Sequence, residues 1–204
     1  MKKYWSYFLS FIKKPENVFI SLSLFFGVLS AILVPQLSVS DENMHYLRAY
    51  GISQGRVESG SRCTLPKDVA KRAGSVYEGN FSSDYSKPID RSSLNIDKCS
   101  SASGYPPIMH LPQAIGIGIA SLFNGSTGLT ILFGRLANVL FYSIAVYLII
   151  KWVRIGKWAF TAIGLIPLMV RMASSLSSDC MTNVAVFTIT AFILNLFTQK
   201  DKLS

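Results

Sequence analysis

Residues 17–42 read NVFISLSLFFGVLSAILVPQLSVSDE, and the reading of this stretch decides the fold. From Phe19 to Val34 every residue is apolar, small or weakly polar, a run long enough to cross a bilayer as a helix. Pro35 to Ser40 ends the run, and two carboxylates, Asp41 and Glu42, follow at once. A cleavable signal peptide, with Ser38-Val39-Ser40 as its cleavage site, fits less well. The apolar core is long for one, and the lead-in, with Tyr4, Trp5, Tyr7 and Phe8 among lysines, suits an interfacial anchor.

Half of the 204 residues are hydrophobic and only 15% are charged. A net charge of +9 would suit nucleic acid if the cations formed a face of their own. They do not. Lys2, Lys3, Lys13 and Lys14 precede the first apolar run, Lys151, Arg154 and Lys157 separate two later ones, and Lys200 and Lys202 follow the last. This is the positive-inside pattern of a multi-pass membrane protein, with the bilayer and not nucleic acid as its partner.

The expected fold class is all-α transmembrane, with spans over residues 17–38, 130–152, 157–177 and 180–199. Residues 1–16 form a cytoplasmic, interfacial N-terminus, 39–129 a long first outer loop, and 130–204 three further spans with a short cytoplasmic tail. Within the outer loop, Ser40 is placed to N-cap a helix over 41–54, with Asp41 and Glu42 in its first turn. A second helix over 107–123 is too short and too polar for a span, with His110, Pro112 and Gln113, and is expected to lie along the membrane face. Glu58 to Ser103 is rich in Ser, Gly, Asp and Lys and is expected to lack regular structure. On the oxidising side of a membrane, Cys63 and Cys99 would be bridged, a loop closure worth roughly 3–4 kcal/mol. Cys180, at a span boundary, reads as a packing residue.

Two constellations carry candidate chemistry. Asp41, His45 and Arg48 fall at i, i+4 and i+7, on one helix face, with Met44 and Leu47 on a neighbouring packing face. A carboxylate base flanked by His and Arg and a merely solvated helix face fit this pattern equally well. The expected third span ends in VRMASSLSSD, where Arg171, Ser174, Ser175, Ser178 and Asp179 make a single polar stripe. A charge inside a span costs roughly 2.5–3.5 kcal/mol to insert and usually faces protein or a wet cavity, which favours function here. Arg135 opens the next candidate group, in FGRLANVL, either snorkelling to headgroups or holding a phosphate. Gly116 and Gly118 make no nucleotide motif, since no strand precedes them. No interrupted helix pair of the transporter kind is legible either.

The order of these pieces resembles a known family. A span, then Asp41-Glu42 with His45 and Arg48, then a long loop, Tyr105-Pro106-Pro107, Gly134-Arg135-Leu136 and Ala173-Ser174-Ser175 through Asp179 is similar to the bacterial membrane proteins of DUF2142, placed among GT-C-type glycosyltransferases. The resemblance implies many transmembrane helices and a first outer loop with membrane-parallel helices. It implies transfer of a sugar from a polyprenyl-phosphate carrier to an envelope acceptor at the outer face of the bacterial inner membrane. By this similarity Asp41 is the candidate base and Glu42 and Asp179 are supporting carboxylates. Arg135 or Arg171 faces the carrier phosphate, His45 and Arg48 line the site, and a divalent cation on Asp41 and Asp179 is left open. Such proteins usually carry more spans, so the chain looks like the N-terminal portion of a longer architecture, or one completed by another membrane chain. The alternative reading is a non-enzymatic subunit or scaffold of an envelope-polysaccharide system.

Overall fold

The computed structural model describes residues 11–57, 62–98 and 101–200. In chain order its helices and strands are α1 (Pro15–Leu33), α2 (Glu42–Ser53), β1 (Arg62–Pro66), α3 (Lys67–Gly74), β2 (Leu94–Lys98), α4 (Leu111–Leu122), α5 (Thr127–Trp152), α6 (Lys157–Gly164), α7 (Pro167–Ala173) and α8 (Asp179–Lys200). Three of these, α1, α5 and α8, are long and apolar enough to cross a membrane. The chain is an all-α membrane protein with a small two-stranded accessory sheet.

Local chemistry sets the ends of α1. Pro15 occupies the first turn, where a missing N–H costs nothing, and Glu16 sits beside it at the positive end of the dipole. Val34, pushed to extended geometry by the following Pro35, stops the helix. Phe19, Ser23, Gly27 and Ala31, four residues apart, bury one stripe. Phe25, Phe26, Ile32 and Leu33 stay exposed, as lipid-facing residues do. At Gly27 the helix lies close against α5: a Cβ there would stand 2.7 Å from Val139 Cγ1.

The central strut is α5, which is capped at Ser126, whose Oγ accepts from the Leu129 N–H at 3.3 Å. One apolar core joins α1, α5, α6 and α8 through Phe19, Tyr142, Ile150, Phe160 and Phe187. A second joins α2, α3, α4 and α5 through Tyr46, Tyr50, Val69, Ile117, Ile131 and Leu176. Gly116 of α4 faces the Phe133 carbonyl of α5 so closely that no side chain fits, so its use is helix packing.

The expected single span over 157–177 is not one helix. It breaks at Leu165–Ile166–Pro167 into α6 and α7, because Pro167 supplies no N–H and Ile166 before it is driven to ψ 133°. The two pieces still run the length of the bundle. Thr161 Oγ1 donates to Pro15 O (3.2 Å) at one end, and the Leu176 N–H reaches Glu42, at the start of α2, at the other (3.1 Å).

Glu58 to Ser103 was expected to be irregular, and that too is corrected. Strands β1 and β2 pair antiparallel from Arg62↔Lys98 to Pro66↔Leu94. Helix α3 follows β1 and buries Val69, Arg72 and Ala73. Cys63 stands opposite Asp97 in this ladder, but Cys99 and hence the expected Cys63–Cys99 bridge lie outside the described residues. Cys180 is free and buried.

Candidate functional site

Between α1 and α2 the chain turns sharply on two left-handed residues, Leu37 (φ 64°) and Asp41 (φ 56°). Asp41, and not Ser40, is the N-cap of α2, and its side chain makes no capping bond. An aspartate tolerates this conformation better than most residues, yet it still stores strain, and such strain clusters at functional sites. The Asp41 carboxylate is exposed and touched only by Ser40 Oγ, at 3.3 Å, among the described residues.

Glu42, one residue on, is enclosed. Its Oε1 and Oε2 accept from Arg135 Nε (2.8 Å) and Nη2 (2.7 Å), and both side chains have 0% exposure. Arg135 spends its remaining donors on the carbonyls of Ala31, Val34 and Pro35, and Glu42 Oε1 also accepts the Leu176 N–H. This pair ties the end of α1, the start of α2, the middle of α5 and the α7–α8 connection into one knot.

The polar stripe expected on a third span lies instead mostly on that connection, since α7 ends at Ala173. Ser174, Ser175, Leu176, Ser177 and Ser178 are all buried, and neighbouring helices strap their backbone. Gln113 Nε2 of α4 donates to Leu176 O (3.1 Å) and Asn138 Nδ2 of α5 to Ser175 O (2.7 Å). Ser174 and Ser175 donate back to Arg171 O and Met172 O, and the Ser174 hydroxyl also pairs with Ser30 Oγ of α1 (2.7 Å), so these hydroxyls are spent within the protein. Asp179 begins α8 with its carboxylate exposed.

His45 lies one turn along α2 from Asp41 and is 7% exposed. Its Nδ1 is 2.8 Å from Nε2 of His110, which is 0% exposed, and the Tyr105 ring packs 5.7 Å from one imidazole and 6.1 Å from the other. His110 Nδ1 has no partner among the described residues. A buried lone pair without a donor costs less than a buried N–H without an acceptor. The network therefore puts the His110 proton on Nε2, donating to His45. Burial holds the pKa of His45 below the usual imidazole value, against the opposing pull of Asp179, Asp41 and Glu42. Burial, with help from His45 and Arg48, pushes His110 down to about 3. Both rings are neutral at pH 7. Arg48 is buried beside them, its Nη2 donating to Val57 O (3.1 Å) and Tyr105 O (3.5 Å).

Arg171 stands elsewhere on the same end of the bundle. It is exposed and makes no hydrogen bond or ion pair through its guanidinium with a described residue. It rims an apolar groove of about 430 Å³ between α1 and the broken α6–α7 pair, lined by Phe26, Leu29, Leu33, Val34 and Leu165. Val34, whose carbonyl binds Arg135, connects the groove mouth to the Glu42 knot.

Of the residues singled out from the sequence, Asp41, His45 and Asp179 share one electrostatic neighbourhood. Glu42 and Arg135 bind each other, Arg48 sits beneath His110, and Arg171 stands apart on the groove. His110, Tyr105, Gln113 and Asn138 are not among the site residues read from the sequence, although Tyr105 belongs to the resembling motif and His110 and Gln113 mark the 107–123 helix as polar. The legible signal was a polar side chain inside an apolar run, which a folded membrane protein keeps only where it is satisfied or used. Among the described residues no group of three or more His, Cys, Asp or Glu is placed to hold a metal ion.

No curated protein and no solved structure matches the chain. A family model does, over residues 24–204, and it covers the second half of the first span, the Asp41 neighbourhood, the Glu42–Arg135 knot and the α7–α8 connection. The chain belongs to that family, described as predicted membrane protein (DUF2142).

Proposed function

We propose that this end of the bundle is the reaction end of a membrane glycosyltransferase, taking a sugar from a polyprenyl-phosphate carrier to an envelope acceptor on the outer face of the bacterial inner membrane. One observation carries the reading. An accessible, strained carboxylate, Asp41, lies beside a neutral histidine pair on the same end of α1 as an apolar groove rimmed by the exposed cation Arg171.

Asp41 takes the proton of the acceptor hydroxyl as that oxygen bonds to the anomeric carbon. The bond from that carbon to the carrier phosphate breaks, and the electron pair leaves with the polyprenyl phosphate. Arg171 faces the leaving phosphate while the carrier chain lies in the groove. Arg135 has no donor left for a phosphate, so its part is to hold Glu42, and through it the turn that carries Asp41. Neutral His45 is a hydrogen-bond donor and not a cation, which leaves Asp41 free of a locking ion pair and able to accept a proton. Asp179 is a second carboxylate within its field.

Asp41→Asn tests the proposal, because Asn also tolerates the left-handed conformation and differs in its inability to take the proton. With membrane vesicles and a polyprenyl-phosphate sugar donor, transfer should fall about 10²–10⁴-fold while insertion is unchanged. Full turnover by the inserted variant would remove Asp41 from the mechanism and favour a scaffold role.

A further inference from the structure

A polar hollow of about 340 Å³ opens on α3 and the loop that follows it, against the start of α5, and three cations line it: Lys71, Arg72 and Lys87. Arg72 is 7% exposed, yet every acceptor it uses is neutral. Nη1 donates to Ser75 Oγ (3.0 Å) and Asn80 O (3.2 Å), and Nη2 to Gln36 O (3.3 Å) and Phe81 O (3.5 Å). Its Nε has no partner among the described residues. Arg135, a buried guanidinium of the helix bundle, has Glu42 as its counter-ion. A buried charge without one is costly, and among the described residues no carboxylate stands within 4 Å of Arg72, Glu42 acting on it only at longer range.

The two carboxylates of the hollow do not fill that place. Asp68 Oδ2 accepts from the Asp90 N–H, tying α3 to a loop 22 residues on, and Asp84 Oδ1 accepts from the Ser86 N–H and Oγ within its own turn. Around the cations stand groups with unused hydrogen-bonding capacity: the hydroxyls of Ser82 and Thr127 and the Asn80 side-chain amide N–H₂. A cation cluster with one buried guanidinium N–H left over, Arg72 Nε, ringed by hydroxyl and amide groups, matches a sugar that carries an acid group.

We infer that this hollow binds an anionic sugar, its carboxylate or phosphate on Lys71, Arg72 and Lys87 and its hydroxyls on Asn80, Ser82 and Thr127. The site is separate from Asp41 and does not depend on the transfer reaction proposed above.

The test uses the full chain in detergent micelles, titrated calorimetrically with glucuronate, glucose 6-phosphate, glucose and inorganic phosphate. Saturable binding of a charged sugar, at least tenfold tighter than glucose or phosphate alone, is expected. Lys71→Ala with Lys87→Ala should weaken it about tenfold, because each lost ionic contact to an oxyanion weakens binding. Both lysines are exposed, so the double variant keeps its fold. Equal affinity for inorganic phosphate would reduce the hollow to a bare oxyanion site and overturn the sugar assignment. No binding, or binding indifferent to the two lysines, would overturn the site itself.

Discussion

Arg135 has five N–H donors and uses each one inside the protein, two on Glu42 and three on carbonyls at the end of α1. A pair so enclosed repays its desolvation only through that full set of bonds, and removing one partner strands the other. Glu42→Gln should therefore destabilise the protein by about 3–5 kcal/mol. Combining it with Arg135→Leu should recover part of the loss, because no buried charge is then left alone. Thermal midpoints of the two variants in detergent decide the matter. If Glu42→Gln melts with the wild type, the knot does not hold the fold. The sequence placed Glu42 and Arg135 among candidate site residues but not together. They are 93 residues apart, and nothing in local spacing shows that α5 passes the end of α1. Asp41, His45 and Arg48 were legible as a group because helix periodicity joins them. His110, reached across the fold, was not.

At the scale of elements, long apolar runs were read well and interruptions poorly. Hydropathy found α1, α5 and α8, because a run of some 20 apolar residues has few other uses. It also joined α6 to α7, since apolar content does not register the lost N–H of Pro167. It passed over α3 in a polar stretch, although Val69, Arg72 and Ala73 recur at helical spacing in KDVAKRAG. The packing of α1 on α5 rests on Gly27, whose added Cβ would stand 2.7 Å from Val139 Cγ1. A leucine there cannot be absorbed by one valine's rotation. Gly27→Leu should part the two helices and cost about 1–3 kcal/mol, whereas Leu29→Ala, on the exposed face, should cost far less. Limited proteolysis in micelles would register the difference. Equal resistance of the two variants would mean that the helices are not in close contact at Gly27.

For the whole molecule, the placement of charge argues for one orientation. Pro15, Trp152, Thr161 and Asn195 meet at one end of the bundle: Thr161 Oγ1 donates to Pro15 O, and Asn195 Nδ2 to Trp152 O. Lys13, Lys14, Lys151, Arg154 and Lys157 gather beside them, while Asp41, Asp179, α2 and the sheet belong to the opposite end. Chain direction alternates accordingly, with α1 running away from the lysines, α5 towards them, the α6–α7 pair away again and α8 back. Cations are retained on the cytoplasmic side, so the lysine end should be cytoplasmic and the sheet and polar hollow external. Replacing Cys63, Cys99 and Cys180 by serine and introducing single cysteines tests this directly. Lys87→Cys should react with a membrane-impermeant maleimide in intact cells, and Lys157→Cys only after the membrane is opened. Labelling of Lys157→Cys in intact cells would put the lysine end outside and overturn this orientation.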